Sequence, residues 1–179
     1  MILIELEGPS AGAAKEMEMR LREIGARRLA IIGVGNSLKG DDFAGSLVAK
    51  KLMSRFNQAV HQPFILDAED APENFIEEIR AFGADAVIFI DSAVMGCPPG
   101  TVKLVPLDET QYPYFSTHNL PLKLLSTAMG DVEDSFLIGI EPKTTEFCER
   151  MSEEVKAACT QVAQTIHKVI AEWSWAGLG

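Results

Sequence analysis

Apolar and polar positions along the chain follow two rhythms that replace each other repeatedly. Short runs of mostly branched apolar residues at Leu29–Val34, Phe64–Asp67, Val87–Asp91, Val102–Val105 and Phe136–Ile140 predict β-strands. Several are apolar at successive positions, as central strands covered on both faces are. Between the strands, a helical rhythm predicts helices at Ala11–Ile24, Ala44–Phe56, Glu73–Phe82 and Leu120–Ala128, and a longer one from Glu153 to Trp173. In that last helix Val155, Ala158, Cys159, Val162, Ile166, Val169 and Ile170 recur at three- and four-residue steps and share one face. Ser152 is its expected N-cap, and Glu153 and Glu154 suit the positive end of the helix dipole.

Alternation of the two element types from end to end, with no repeat or low-complexity linker, predicts one α/β domain over residues 1–179. Pro98-Pro99-Gly100 is too short a connection for a helical crossover. The strands on either side of it are therefore expected to be antiparallel neighbours, which makes the sheet mixed. Asp70-Ala71-Pro72-Glu73 reads as a helix start, with a capping aspartate and a glutamate placed to reach back to it.

A length of 179 residues with 47% hydrophobic content is enough for one sizeable core. Apolar runs fall well short of the roughly 20 residues that a membrane helix needs. Glu5 and Glu7 interrupt the segment where a signal peptide is apolar, and no basic start precedes them, so a cytoplasmic location is expected. A net charge of −10 repels phosphate backbones and argues against nucleic acid as a partner. Cys97, Cys148 and Cys159 are odd in number and lack CxxC spacing, and are expected to be reduced thiols that mostly pack.

Chemistry concentrates in Ile32-Gly33-Val34-Gly35-Asn36-Ser37-Leu38-Lys39-Gly40-Asp41-Asp42, a glycine-rich turn between a strand and a helix. Gly35 and Gly40 have the glycine spacing of a phosphate loop, but Asp41-Asp42 follow where Lys and Ser/Thr belong, and carboxylates repel phosphate. The glycine spacing is wrong for a dinucleotide fingerprint as well, with Asp67 only a weak stand-in for its ribose acid. A cation is the better ligand for an acid pair at the carboxyl end of a strand. The ordinary alternative is an N-cap aspartate.

Asp91 closes the run Val87-Ile88-Phe89-Ile90 and is expected at the same sheet edge if that strand runs parallel to the first. His118, in Ser116-Thr117-His118-Asn119-Leu120-Pro121-Leu122, sits at a loop-to-helix junction that leaves its imidazole exposed. Each alone has an ordinary reading as a turn acid or a surface histidine. Together Asp42, Asp91 and His118 offer two hard oxygens and one nitrogen, an incomplete set open to an incoming ligand. His61 and His167 read as structural or surface residues. The sequence has no HExxH, no GxSxG and no papain-type cysteine neighbourhood.

The stretch GVGNSLKGDDFAG resembles the opening signature of the nickel-iron hydrogenase maturation proteases. Similar segments follow in order at Asp67–Asn74, Phe89–Gly100, Ser116–Leu122 and Leu137–Pro142. The STHNLPL and APEN segments look most like the branch that serves formate hydrogenlyase complexes. The resemblance implies a three-layer α/β/α sandwich around a mixed, mostly parallel sheet of about five strands. It also implies an endopeptidase that recognises nickel in the precursor of a hydrogenase large subunit and removes the C-terminal extension. By matching positions, Asp42, Asp91 and His118 are the implied ligands of nickel carried by the substrate, a site that other divalent metals can also occupy. Asp41 is then the expected proton carrier, completing a candidate catalytic set of Asp42, Asp91, His118 and Asp41. The implied partner is the nickel-loaded precursor; the short apolar runs leave no membrane partner expected, and a domain of this size needs no oligomer for stability, so a monomer is expected.

Two departures stand out. Phe43 occupies a position where the family usually has glycine, and the leader Met1–Arg28 precedes a first strand that usually comes almost at once. The leader is expected to be helical and either to pack as an extra helix or to dock a partner. Two other functions compete: a noncatalytic module that checks nickel in the same precursor, and, with less support, a nucleotide- or nucleoside-binding enzyme.

Overall fold

The computed structural model describes residues 9–25, 28–56, 63–107, 115–116, 128–130 and 132–173. Its strands are β1 (Leu29–Gly33), β2 (Phe64–Asp67), β3 (Ala86–Val94), β4 (Val102–Pro106), β5 (Phe115–Ser116) and β6 (Asp134–Ile140). Accompanying them among the described residues are the α-helices α1 (Pro9–Ile24), α2 (Ala44–Phe56), α3 (Ile76–Phe82) and α4 (Glu153–Ala171). Short 3-10 turns, Gly40–Phe43 and Pro72–Phe75, lead into α2 and α3.

The sheet runs β2-β1-β3-β6-β4, with the short β5 added antiparallel to the end of β3. β2, β1, β3 and β6 are mutually parallel, and β4 lies antiparallel to β6. The expected mixed, mostly parallel α/β sheet is present, but β3 and β4 are not neighbours, because β6 lies between them. The residues account for this order. β6 is buried through Phe136–Ile140, which requires cover on both faces and a neighbour on both sides. β4 carries Lys103 and ends on Pro106, residue types that suit a sheet edge.

Side-chain alternation divides the core into two layers. Leu29 and Ile31, then Ile88 and Ile90, then Ile138 and Ile140 face the layer that also holds Met17 and Leu21 of α1, Val48 and Leu52 of α2, and Val162 and Ile166 of α4. Ala30, Ile32, Val87, Phe89 and Leu137 face the opposite layer with Ile79 of α3. The described part of the leader, α1, therefore packs as an extra helix within the core. Ion pairs Arg20–Asp134 and Lys168–Glu18 join it to β6 and α4.

Ser152 caps α4 as expected, its side chain accepting from the Val155 N–H. Asp70 does not cap. The turn before α3 starts after Ala71 without a side-chain cap, and the Asp70 carboxylate instead accepts from Asn36 Nδ2 at 3.1 Å. Pro72 at the first position lacks the N–H that a cap would otherwise satisfy. The expected helix at Leu120–Ala128 lies, apart from Ala128, outside the described residues.

Candidate active site

The glycine turn serves backbone packing. A Cβ on Gly45 would stand 1.9 Å from the Ile90 carbonyl oxygen and 2.4 Å from that of Val34, and one on Gly33 would stand 2.2 Å from the Gly45 oxygen. The first turn of α2 thus lies directly on the backbones of β1 and β3. The Val34 N–H donates to the Ile90 carbonyl at 2.8 Å and locks the two strand ends together. Asp42, just before α2, and Asp91, just after Ile90, are therefore carried to the same carboxyl edge of the sheet. Asp91 is fully buried and Asp42 is 3% exposed. One Asp91 oxygen accepts from the Ser92 N–H at 2.7 Å.

Asp41 is also fully buried, in a different setting. Its carboxylate accepts four hydrogen bonds: from the N–H groups of Lys143, Thr144 and Ser152, at 2.8, 3.1 and 2.7 Å, and from the Ser152 hydroxyl at 2.9 Å. Its own N–H donates to the Thr144 carbonyl. The two neighbouring acids divide the work: Asp41 binds the loop between β6 and α4, and Asp42 stands beside the end of β3.

A fourth buried acid was not singled out from the sequence. Glu141, 6% exposed, follows β6 and accepts from the N–H groups of Met95 and Cys97 at 2.7 and 3.2 Å. It holds the chain that leaves β3 beyond Asp91. The available signal was its place directly after an apolar strand, the position that drew attention to Asp91. Among the described residues every buried carboxylate, Asp41, Asp42, Asp91 and Glu141, lies at this edge of β1, β3 and β6.

Beside the turn lies a cavity of about 220 Å³ bordered by Gly35, Leu38, Phe43, Ser46, Glu69 and Asp70, among others. Phe43 closes part of it, with Lys50 Nζ 4.7 Å from its ring centre. The 3-10 turn still runs directly into α2, so the phenyl group does not disturb helix entry. Asp67 accepts from the Ser46 hydroxyl at 2.6 Å and pairs with Lys50 at 3.0 Å, a structural use in place of a ribose contact.

At the start of α4, Lys143 and Glu154 pair at 2.9 Å. Their hydrogen bond raises the Lys143 pKa and lowers that of Glu154. Cys159 is buried in the core and desolvation pushes its thiol up to about 12, while Cys97 is half-buried and Cys148 is exposed. Cys148 thus departs from the expected packing role. His167 is half-buried, its ring 5.0 Å from that of Phe56, in keeping with a structural role.

His118 and His61 lie outside the described residues. The described part of the site therefore contains two of the three expected ligands. Among the described residues no group of three or more His, Cys, Asp or Glu side chains is arranged to hold a metal. Two buried carboxylates fit a hard or borderline cation as part of a ligand set.

Comparison with known proteins adds an independent line. Residues 47–169 match the family model of the hydrogenase maturation proteases. The hydrogenase 3 maturation protease of Escherichia coli is 31% identical over 153 residues, 83% of this chain and 91% of that protein. A Methanocaldococcus jannaschii relative is 33% identical over 153 residues, 82% of this chain and 90% of its own. The fold is similar to the crystal structure of the [NiFe] hydrogenase maturation protease HycI from Thermococcus kodakarensis. That match has a TM-score of 0.74 and 30% identity, and covers 88% of this chain and 99% of the other.

Proposed function

The chain belongs to the hydrogenase maturation protease family, and on that premise we propose that it removes the C-terminal extension from the precursor of a nickel-iron hydrogenase large subunit, reading the nickel already held by that precursor. Its relatives are proteases and endopeptidases, and the chain is a peptidase of the same class. Within the family, similarity to the hydrogenase 3 protease and to HycI favours a large subunit of the hydrogenase 3 type as substrate.

The observation that carries the reading is the burial of Asp42 and Asp91 at the same carboxyl edge of a locked scaffold. Two carboxylates with His118 make a partial ligand set that binds free metal modestly but completes the shell of nickel already held by substrate thiolates. Processing is thereby gated on metal loading. Nickel bound there supplies Lewis-acid polarisation of a carbonyl or of water. Asp42 and Asp91 fix the substrate's metal against the sheet edge. Asp41 was expected as a proton carrier, but its oxygens are committed to four donors, so we assign it the positioning of the turn and of the loop between β6 and α4.

Among the described residues of the site, the turn that would cradle phosphate carries two buried carboxylates, which counts against the nucleotide reading. The enzyme acts as a cytoplasmic monomer in this account, and no described helix is long and apolar enough to cross a membrane. Incubating the purified protein with nickel-loaded, unprocessed large subunit and following intact mass tests the activity. Loss of one C-terminal peptide supports proteolysis, and stable binding with no mass change assigns the noncatalytic role instead.

A further inference from the structure

Five large hydrophobic side chains are strongly exposed among the described residues: Met19, Leu38, Met53, Val94 and Phe147, at 58, 57, 46, 49 and 62%. Met19 lies on α1 and Met53 on α2. The other three cluster by topology: Leu38 follows β1, Val94 ends β3 and Phe147 follows β6, at the carboxyl edge that holds Asp42 and Asp91. Exposed apolar side chains gathered around one site mark a contact surface more strongly than scattered ones.

Leu38 and Phe147 belong to one braced ledge. The Cys148 N–H donates to the Leu38 carbonyl at 2.7 Å, and Cys148 takes a left-handed backbone, φ 64°, to do so. Two residues beyond Leu38, Gly40 is also left-handed at φ 52°, and a Cβ there would stand 2.9 Å from the Thr144 oxygen. Asp41 then ties the same two loops together through Lys143, Thr144 and Ser152. A surface fixed before its partner arrives loses less freedom on binding.

We propose that Leu38 and Phe147 form a docking ledge for the precursor segment beside its scissile bond, received as an extended peptide with apolar side chains. This rests on the proteolytic reading above. The area decides between occupants. Two partly exposed side chains offer on the order of 200 Å², whereas a stable protein interface covers about 800 Å² on each partner. The ledge is too small for a second copy of the chain and suits a few side chains of a strand-like segment. Exposed Lys39 and Arg150 balance Glu146 and Glu149 around it, so the apolar side chains carry the recognition. Leu38 also borders the 220 Å³ cavity, which makes ledge and cavity one continuous surface.

The test compares cleavage of nickel-loaded precursor by the wild type, by Phe147→Ser, by Leu38→Ser/Phe147→Ser, and by the conservative pair Leu38→Met/Phe147→Leu, with thermal unfolding to check each fold. The double serine variant is expected to raise KM by about tenfold with kcat within about twofold, and the conservative pair to restore it. Serine substitutions at apolar precursor residues next to the scissile bond should raise KM for the wild type and add little for the double variant. Unchanged KM in a folded double variant overturns the ledge while leaving the activity intact. So does a wild-type dimer that the double substitution dissociates, since the ledge then serves a second copy. A wild type that does not cleave at all overturns the proteolytic reading and the ledge with it.

Discussion

Asp41 and Asp42 are adjacent in the chain and have different partners. Each Asp41 oxygen is engaged by backbone or hydroxyl donors, so Asp41→Ala strands buried N–H groups. That substitution should lower stability by about 3 kcal/mol, given the strength of hydrogen bonds to a charged group, as measured by denaturant unfolding. Asp42→Asn and Asp91→Asn should leave the fold in place and remove processing of the precursor. Cys159 supplies a prediction in pH. Burial raises its folded pKa from 9.0 to about 12, so below about pH 9 the thiol is protonated in both states and its contribution is constant. From pH 9 towards 12 the unfolded thiol ionises first, and stability should fall with rising pH, a decline that Cys159→Ser should reduce in equilibrium unfolding. Under native conditions a thiol reagent should label exposed Cys148 first and Cys159 only on unfolding. At this scale the placement of Asp42 and Asp91 at one sheet edge was legible, because each follows an apolar strand or a glycine turn. The role of Asp41 was not, because its donors lie about a hundred residues further along the chain.

Helix α1 shows what periodicity conveys and where it stops. Its amphipathic spacing announced a helix, and Met17, Leu21 and Ile24 prove to be core residues at 1, 0 and 2% exposure. Leu21→Ala should therefore cost about 3 kcal/mol, the usual range for a large-to-small core change, and removal of α1 should open the layer shared with α4. α2 and β2 begin and end where apolar patterning places them. The misplaced element is β4: a short connection after β3 suggested direct pairing, while the burial demand of β6 put that strand in between. Local connection length carries no information about a strand contributed from further along the chain. Likewise Asp70 has a capping sequence around it, but Asn36, distant in sequence and close in space, takes its carboxylate. Gly45→Ala tests the α2 contact, since the added methyl would collide with the Ile90 carbonyl. It should displace the helix start and, with it, Asp42, seen as lost processing alongside reduced stability.

At the scale of the whole molecule, parallel strands deliver their carboxyl ends, and the acids that follow them, to one edge. All of the buried carboxylates among the described residues collect there, while the ordinary core fills the two layers beneath. The glycine turn looked like a phosphate loop in one dimension, and in three it is the seat on which α2 rests against β1 and β3. The family was legible from the ordered motifs, since their spacing follows from this scaffold.

The most direct test is therefore the mass of an unprocessed large subunit after incubation with the enzyme, in matched nickel-loaded and nickel-free samples and with the wild type and Asp42→Asn. The account predicts loss of one C-terminal peptide only where nickel and the Asp42 carboxylate are both present. Equal cleavage of the nickel-free precursor, or full activity of a folded Asp42→Asn variant, would contradict it.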